Sequence, residues 1–119
     1  MILQNDLYTI VETGDKAAKI RLLPESAIYQ GHFPGNPITP GMCQVGIVEE
    51  LARNICGVEL FLSEVKMLKY MDILRPSTQE VEVRFDKLED DGTSVSAKGT
   101  VASEDRVFTK FSLVFAKMV

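Results

Sequence analysis

Histidine occurs once in this chain of 119 residues, at position 32, and cysteine twice, at positions 43 and 56. A lone imidazole excludes a histidine-built metal centre, and the thiols stand too far along the chain to share a site with it. A helix covering positions 43 and 56 would hold the two sulfurs about 20 Å apart, which excludes a disulfide between them. They read as buried thiols of a reducing compartment. Basic residues number 13 against 17 acidic ones, for a net charge of −4. With no Lys/Arg cluster and no basic-aromatic patch, this argues against a nucleic-acid binder. No apolar run reaches the roughly 18 residues of a membrane span, and no basic stretch leads into an apolar one at the start. The expectation is a cytoplasmic protein. A nucleophile elbow, a phosphate loop and a dinucleotide fingerprint are all missing. Without repeats or low-complexity tracts, residues 1–119 read as one domain, expected to need neither cofactor nor metal.

Proline and glycine gather in one place. Residues 31–41 read Gly31-His32-Phe33-Pro34-Gly35-Asn36-Pro37-Ile38-Thr39-Pro40-Gly41, with the only histidine among them. Proline fixes φ and glycine permits close backbone approach, so the segment holds a backbone shape for a purpose. An apolar-periodic run from Met42 to Cys56 follows. Thr39 reads as its N-cap, Pro40 as its first helical position, and Gly57 as its terminating residue. On a helical wheel Gln44, Val48, Leu51 and Ile55 form the buried stripe. Gly46, Glu49, Glu50 and Arg53 fall on the opposite, polar side.

Elsewhere the chain alternates. Leu7 to Val11 and Lys16 to Leu23 read as strands of a hairpin turning at Gly14-Asp15. Val58 to Leu62 and Glu64 to Tyr70 are extended and stop at Arg75-Pro76-Ser77. Gln79 to Leu88, Thr93 to Ala102 and Val107 to Met118 complete the set, with turns at Asp90-Asp91-Gly92 and at residues 103–106. The pattern predicts an antiparallel sheet with one long helix on a face. One helix cannot cover so wide a sheet, so the sheet curls around it or a second subunit supplies the cover.

Several residues in this pattern can do chemistry. His32, held by rigid neighbours just before a helix start, is placed to act as base or acid. Gly35 and Gly41 read as turn glycines. Equally, they clear space for backbone N–H groups that donate to a carbonyl oxygen gaining negative charge. Gln44 is the odd polar residue on the buried stripe, read as a core amide with backbone partners. Glu49 and Glu50 read as solvated or paired with Arg53, and as acid or base if that face lines a cleft. Phe33 and Phe61 are candidate pocket walls or ordinary core.

Residues 31–41 resemble the signature of the hot-dog fold 3-hydroxyacyl-acyl carrier protein dehydratases of fatty-acid synthesis. The strand–strand–helix–strands order fits that fold over nearly the whole chain. The resemblance implies an α+β architecture, a curved antiparallel sheet of about five to six strands wrapped around one long central helix. It implies dehydration of a (3R)-hydroxyacyl thioester on acyl carrier protein to the trans-2-enoyl thioester. His32 matches the histidine that removes the α-proton, and Gly41 the glycine whose N–H meets the thioester carbonyl. Phe33, Pro34, Gly35, Asn36, Pro37 and Pro40 match the loop that keeps this geometry. The implied assembly is a homodimer or trimer of dimers, or a heteromer with a homologue, with the acyl chain in a tunnel at the subunit interface.

One position departs from the pattern. The resemblance implies an acid fourteen residues after the histidine, on the central helix and acting from the partner subunit, and here Gly46 stands there. Glu49 and Glu50 follow one turn later, each about 40–60° around the axis and roughly 5 Å along it. Either is the candidate acid. The run Pro40-Gly41-Met42-Cys43-Gln44 also resembles the shorter dehydratase-like proteins of aryl-polyene and flexirubin-type pigment clusters. The expected function is therefore (3R)-hydroxyacyl-acyl carrier protein dehydration in fatty-acid or polyene-type synthesis. Its rivals are acyl-thioester hydrolysis on the same fold and a non-catalytic subunit that binds the acyl thioester or its carrier protein.

Overall fold

Alternation decides which side of each strand faces the core. In Glu80–Asp90, Val81, Val83 and Phe85 are buried while Glu82 and Arg84 point outward. The computed structural model describes residues 2–31 and 35–118, so the expectations for His32, Phe33 and Pro34 lie outside the described residues. In chain order the elements are β1 (Tyr8–Thr13), β2 (Ala17–Leu22), α1 (Ala27–Gly31) and α2 (Gly41–Cys56). There follow β3 (Leu60–Tyr70), a 3-10 turn (Pro76–Thr78), β4 (Glu80–Asp90), β5 (Ser94–Ser103) and β6 (Arg106–Lys117). The strands form one six-stranded sheet in the order β1-β2-β4-β5-β6-β3. Every neighbouring pair is antiparallel. This is the α+β hot-dog architecture, with the sheet curved about α2.

Val45, Ile47, Val48, Leu51 and Ala52 of α2 join Phe85, Val95, Phe111, Leu113 and Phe115 of the sheet in one apolar core. The Phe85 and Phe111 rings meet edge to face, 5.8 Å between centroids. Gly57 ends α2 in the left-handed region at φ 70°, and its N–H bonds back to the Arg53 carbonyl. Both cysteines are free and half-buried, packed at the core's margin. No helix among the described residues is long and apolar enough to cross a membrane.

Two boundaries differ from expectation. Thr39 does not cap α2. Pro40 takes the cap position without a side-chain bond, and the helix begins at Gly41. The Thr39 hydroxyl is engaged instead with the Tyr29 hydroxyl, 2.8 Å away. The two extended runs after the helix are one strand, β3, because its register against β6 shifts between Leu62 and Glu64 and again between Val65 and Met67. Such bulges bend a strand without ending it and hide its alternation. β3 lies at the sheet's edge and leaves Phe61, Val65, Met67 and Tyr70 exposed.

Candidate functional site

The start of α2 is built from three elements. The Thr39 amide donates to the Leu74 carbonyl at 2.7 Å, tying the signature loop to the segment after β3. Gln44 is 4% exposed, and its side chain bridges helix, loop and sheet. Its Oε1 accepts from the Thr109 hydroxyl at 2.6 Å, and its Nε2 donates to the Thr39 carbonyl at 3.4 Å. This is the paired core amide that its place on the apolar stripe predicts. Cys43 and Gln44 are the first amides of the helix to bond back to the Pro40 carbonyl. The amides of Gly41 and Met42 precede them, at the positive end of the helix dipole.

Gly41 leaves room that the Tyr70 side chain occupies. A Cβ at this position would lie 2.2 Å from the Tyr70 hydroxyl oxygen. The Tyr70 phenol fills the clearance and forms one wall of a small cleft of about 170 Å³, with Ile38, Gly41, Gln44, Ile73 and Leu74 among its other walls. Burial raises the Tyr70 pKa, so its hydroxyl keeps its proton at neutral pH. At the rim Asp72 pairs with Arg106 at 2.7 Å. The hydrogen bond from Arg106, then that from the Ile73 amide, holds the Asp72 carboxyl below the usual range, with Arg75 adding to the effect. Burial pushes the Cys43 thiol up, which leaves it protonated and a poor nucleophile.

Gly35 adopts φ 86°, a turn glycine in the left-handed region. Beside it the Arg75 guanidinium donates to the Asn36 side-chain oxygen. Gly35 and Asn36 are exposed, whereas Pro37 and Pro40 are half-buried.

The polar side of α2 is not the solvated face the wheel predicts. Glu50 is only 8% exposed. Its carboxylate accepts from the Leu3 amide at 2.7 Å, the Gln4 amide at 3.0 Å and the Tyr8 hydroxyl at 2.8 Å. The turn formed by residues 3–8 folds over this side of the helix. Gly46 lies under the same turn, where an added Cβ would come within 2.8 Å of Leu3 Cδ1. Glu49 is paired with Arg53 at 2.9 Å, as expected, and also accepts from the Leu62 amide at 2.8 Å. Tyr70, Arg75, Thr109 and Leu3 were not singled out from sequence. Arg75 stands beside a proline and reads as a strand terminator, and no periodicity links Leu3 to the helix.

A family model described as ApeI-like, ApeI dehydratase, matches residues 10–107. The chain is 31% identical over 115 residues to the 3-hydroxyacyl-acyl-carrier-protein dehydratase FabZ of Caldicellulosiruptor saccharolyticus, covering 89% of this chain and 81% of that protein. The FabZ of Latilactobacillus sakei is 40% identical over 72 residues, 54% of this chain, and the match spans about half (51%) of that relative's length. Among solved structures, the dehydratase heterocomplex ApeI:P from Xenorhabdus doucetiae superposes with a TM-score of 0.64 at 17% identity, over 95% of this chain and 99% of that one. The last of these speaks for the fold, and the first two carry the assignment. A signature loop strapped to the start of a buried central helix, inside a curved six-stranded sheet, is thus matched in sequence across most of its length, and the chain belongs to the ApeI-like family of hot-dog dehydratases.

Proposed function

We propose that the chain dehydrates a (3R)-hydroxyacyl thioester carried on acyl carrier protein, giving the trans-2-enoyl thioester and water. The observation that carries this reading is the family match running through a signature loop fixed at the start of α2. His32 takes the α-proton. The Gly41 amide, at the positive end of the helix, stabilises the negative charge that then develops on the thioester oxygen. The C–O bond at the β-carbon breaks and the hydroxyl leaves with a proton as water. Of the two helix carboxylates, Glu49 is assigned to supply that proton, since its side chain keeps 21% of its surface exposed while Glu50 is buried, and to carry the proton it must release its bond to Arg53 or to the Leu62 amide. The acyl chain is a fatty-acid or a polyene-type one, the second reading resting on the resemblance of Pro40-Gly41-Met42-Cys43-Gln44 to the pigment-cluster dehydratase-like proteins.

Hydration of an enoyl thioester, run in reverse with absorbance and a thiol reagent read together, tests the reaction. Loss of the enoyl absorbance without free thiol is the expected result, with Glu49→Gln at least tenfold slower. Release of thiol would mean hydrolysis instead. Tight binding without either signal would mean a carrier-binding subunit.

The same reading assigns a homodimer, or a heteromer like the Xenorhabdus dehydratase heterocomplex, formed along β3. An edge strand of eleven residues with exposed Phe61, Val65, Met67 and Tyr70 is a template for pairing with another chain. Val65→Lys with Met67→Lys is expected to convert dimer to monomer in sedimentation velocity while the circular dichroism stays unchanged. An unaltered sedimentation coefficient would remove β3 from the interface.

A further inference from the structure

Of the polar side chains that line the cleft at the start of α2, Tyr70 alone has no hydrogen-bond partner among the described residues. The Thr39 hydroxyl is shared with Tyr29, and Gln44 is bonded at both ends of its amide. Asp72 accepts from Arg106 and from the Ile73 amide. The Gly41 amide is likewise without a partner among the described residues, since back-bonding to the Pro40 carbonyl begins at Cys43. These two uncommitted donors lie close together. A Cβ on Gly41 would stand 2.2 Å from the Tyr70 oxygen and 2.3 Å from its Cζ. Backbone geometry puts a Cβ about 2.5 Å from its own nitrogen, so the phenol oxygen is within roughly 4.7 Å of the Gly41 nitrogen. Two donors so spaced can both reach one oxygen at about 2.8 Å, the distance at which an oxyanion is held. The shared point lies at the positive end of the helix dipole. Tyr70 is 49% exposed, so a molecule in the cleft meets it, and burial of the rest keeps its proton in place.

We propose that the Tyr70 hydroxyl is a second donor to the thioester oxygen, beside the Gly41 amide. The inference deepens the dehydratase reading and rests on it for the identity of that oxygen. Tyr70→Phe keeps the ring that fills the space over Gly41 and removes only the hydroxyl. It is expected to lower kcat for enoyl-thioester hydration about 10²-fold, the loss that follows removal of one oxyanion donor, with KM changed less than about twofold. Tm and sedimentation coefficient are expected to stay as in the wild type. A kcat within twofold of wild type, or a raised KM with kcat intact, overturns the proposal. A second readout needs no turnover. A butanoyl thioester analogue with a methylene in place of sulfur and an isotope-labelled carbonyl can be neither dehydrated nor hydrolysed. Its carbonyl stretch in difference infrared spectra is expected to fall on binding to the wild type and to fall less in Tyr70→Phe. Equal bound frequencies in the two proteins, or no bound band at all, overturn the proposal. Hydration that is the same in both proteins removes the Tyr70 donor and leaves the dehydratase reading. A frequency difference in a protein without hydration removes that reading and leaves Tyr70 as a donor to the bound carbonyl.

Discussion

Replacing His32 with alanine is expected to lower enoyl-thioester hydration by about 10²–10⁴-fold, the range over which a positioned acid–base group contributes. The size of the effect follows from what is left. The start of α2 still offers its amides to the thioester oxygen, and Tyr70 still walls the cleft. Yet the thiol at Cys43 is held protonated by burial, and the Asp72 carboxyl is committed to Arg106. Neither group replaces an imidazole that accepts and returns a proton near neutral pH. The core of Leu51, Phe111 and Phe115 is left intact by the substitution, and Tm is expected to stay within about 2 °C. Activity within threefold of wild type would remove His32 from the chemistry.

Glu50→Ala is expected to cost about 3–5 kcal/mol of stability, a fall in Tm of roughly 15 °C. The carboxylate satisfies two amides and one hydroxyl, two of the three bonds being fully buried. Deleting it strands the Leu3 amide and the Tyr8 hydroxyl away from water. The Tyr8 pKa is raised, first by burial and then by its hydrogen bond to Glu50, so the phenol stays a donor. Glu50→Gln keeps the volume but turns an NH₂ toward groups that are themselves donors, and is expected to recover only part of the loss. Chemical denaturation monitored by circular dichroism measures both. A change under 1 kcal/mol for the alanine variant would mean that residues 3–8 do not hold the helix.

The elements with strong periodicity were legible from residues alone. Strands β4, β5 and β6 follow their alternation, and α2 follows its stripe to Gly57. The face of α2 carrying Glu50 was not, because a wheel describes the helix alone. What buries Glu50 is a turn some forty residues earlier, with Asn5 at φ 72° and no apolar alternation to announce it. Thr39 has the right chemistry for a cap, but its hydroxyl finds Tyr29 first, a competition between two hydrogen bonds that local sequence cannot rank. At the site, Gln44 was identifiable as a polar residue on an apolar stripe. Tyr70 and Arg75 were not, since each acts on the signature loop or the helix start across about thirty to forty residues of chain.

Gln44 has a mechanical consequence. An apolar stripe alone lets a helix roll several degrees in its groove at almost no loss of buried area. One amide that accepts a hydrogen bond from a β6 hydroxyl and donates one to the loop carbonyl opposes that rotation. Sheet, loop and helix are therefore joined through one buried side chain.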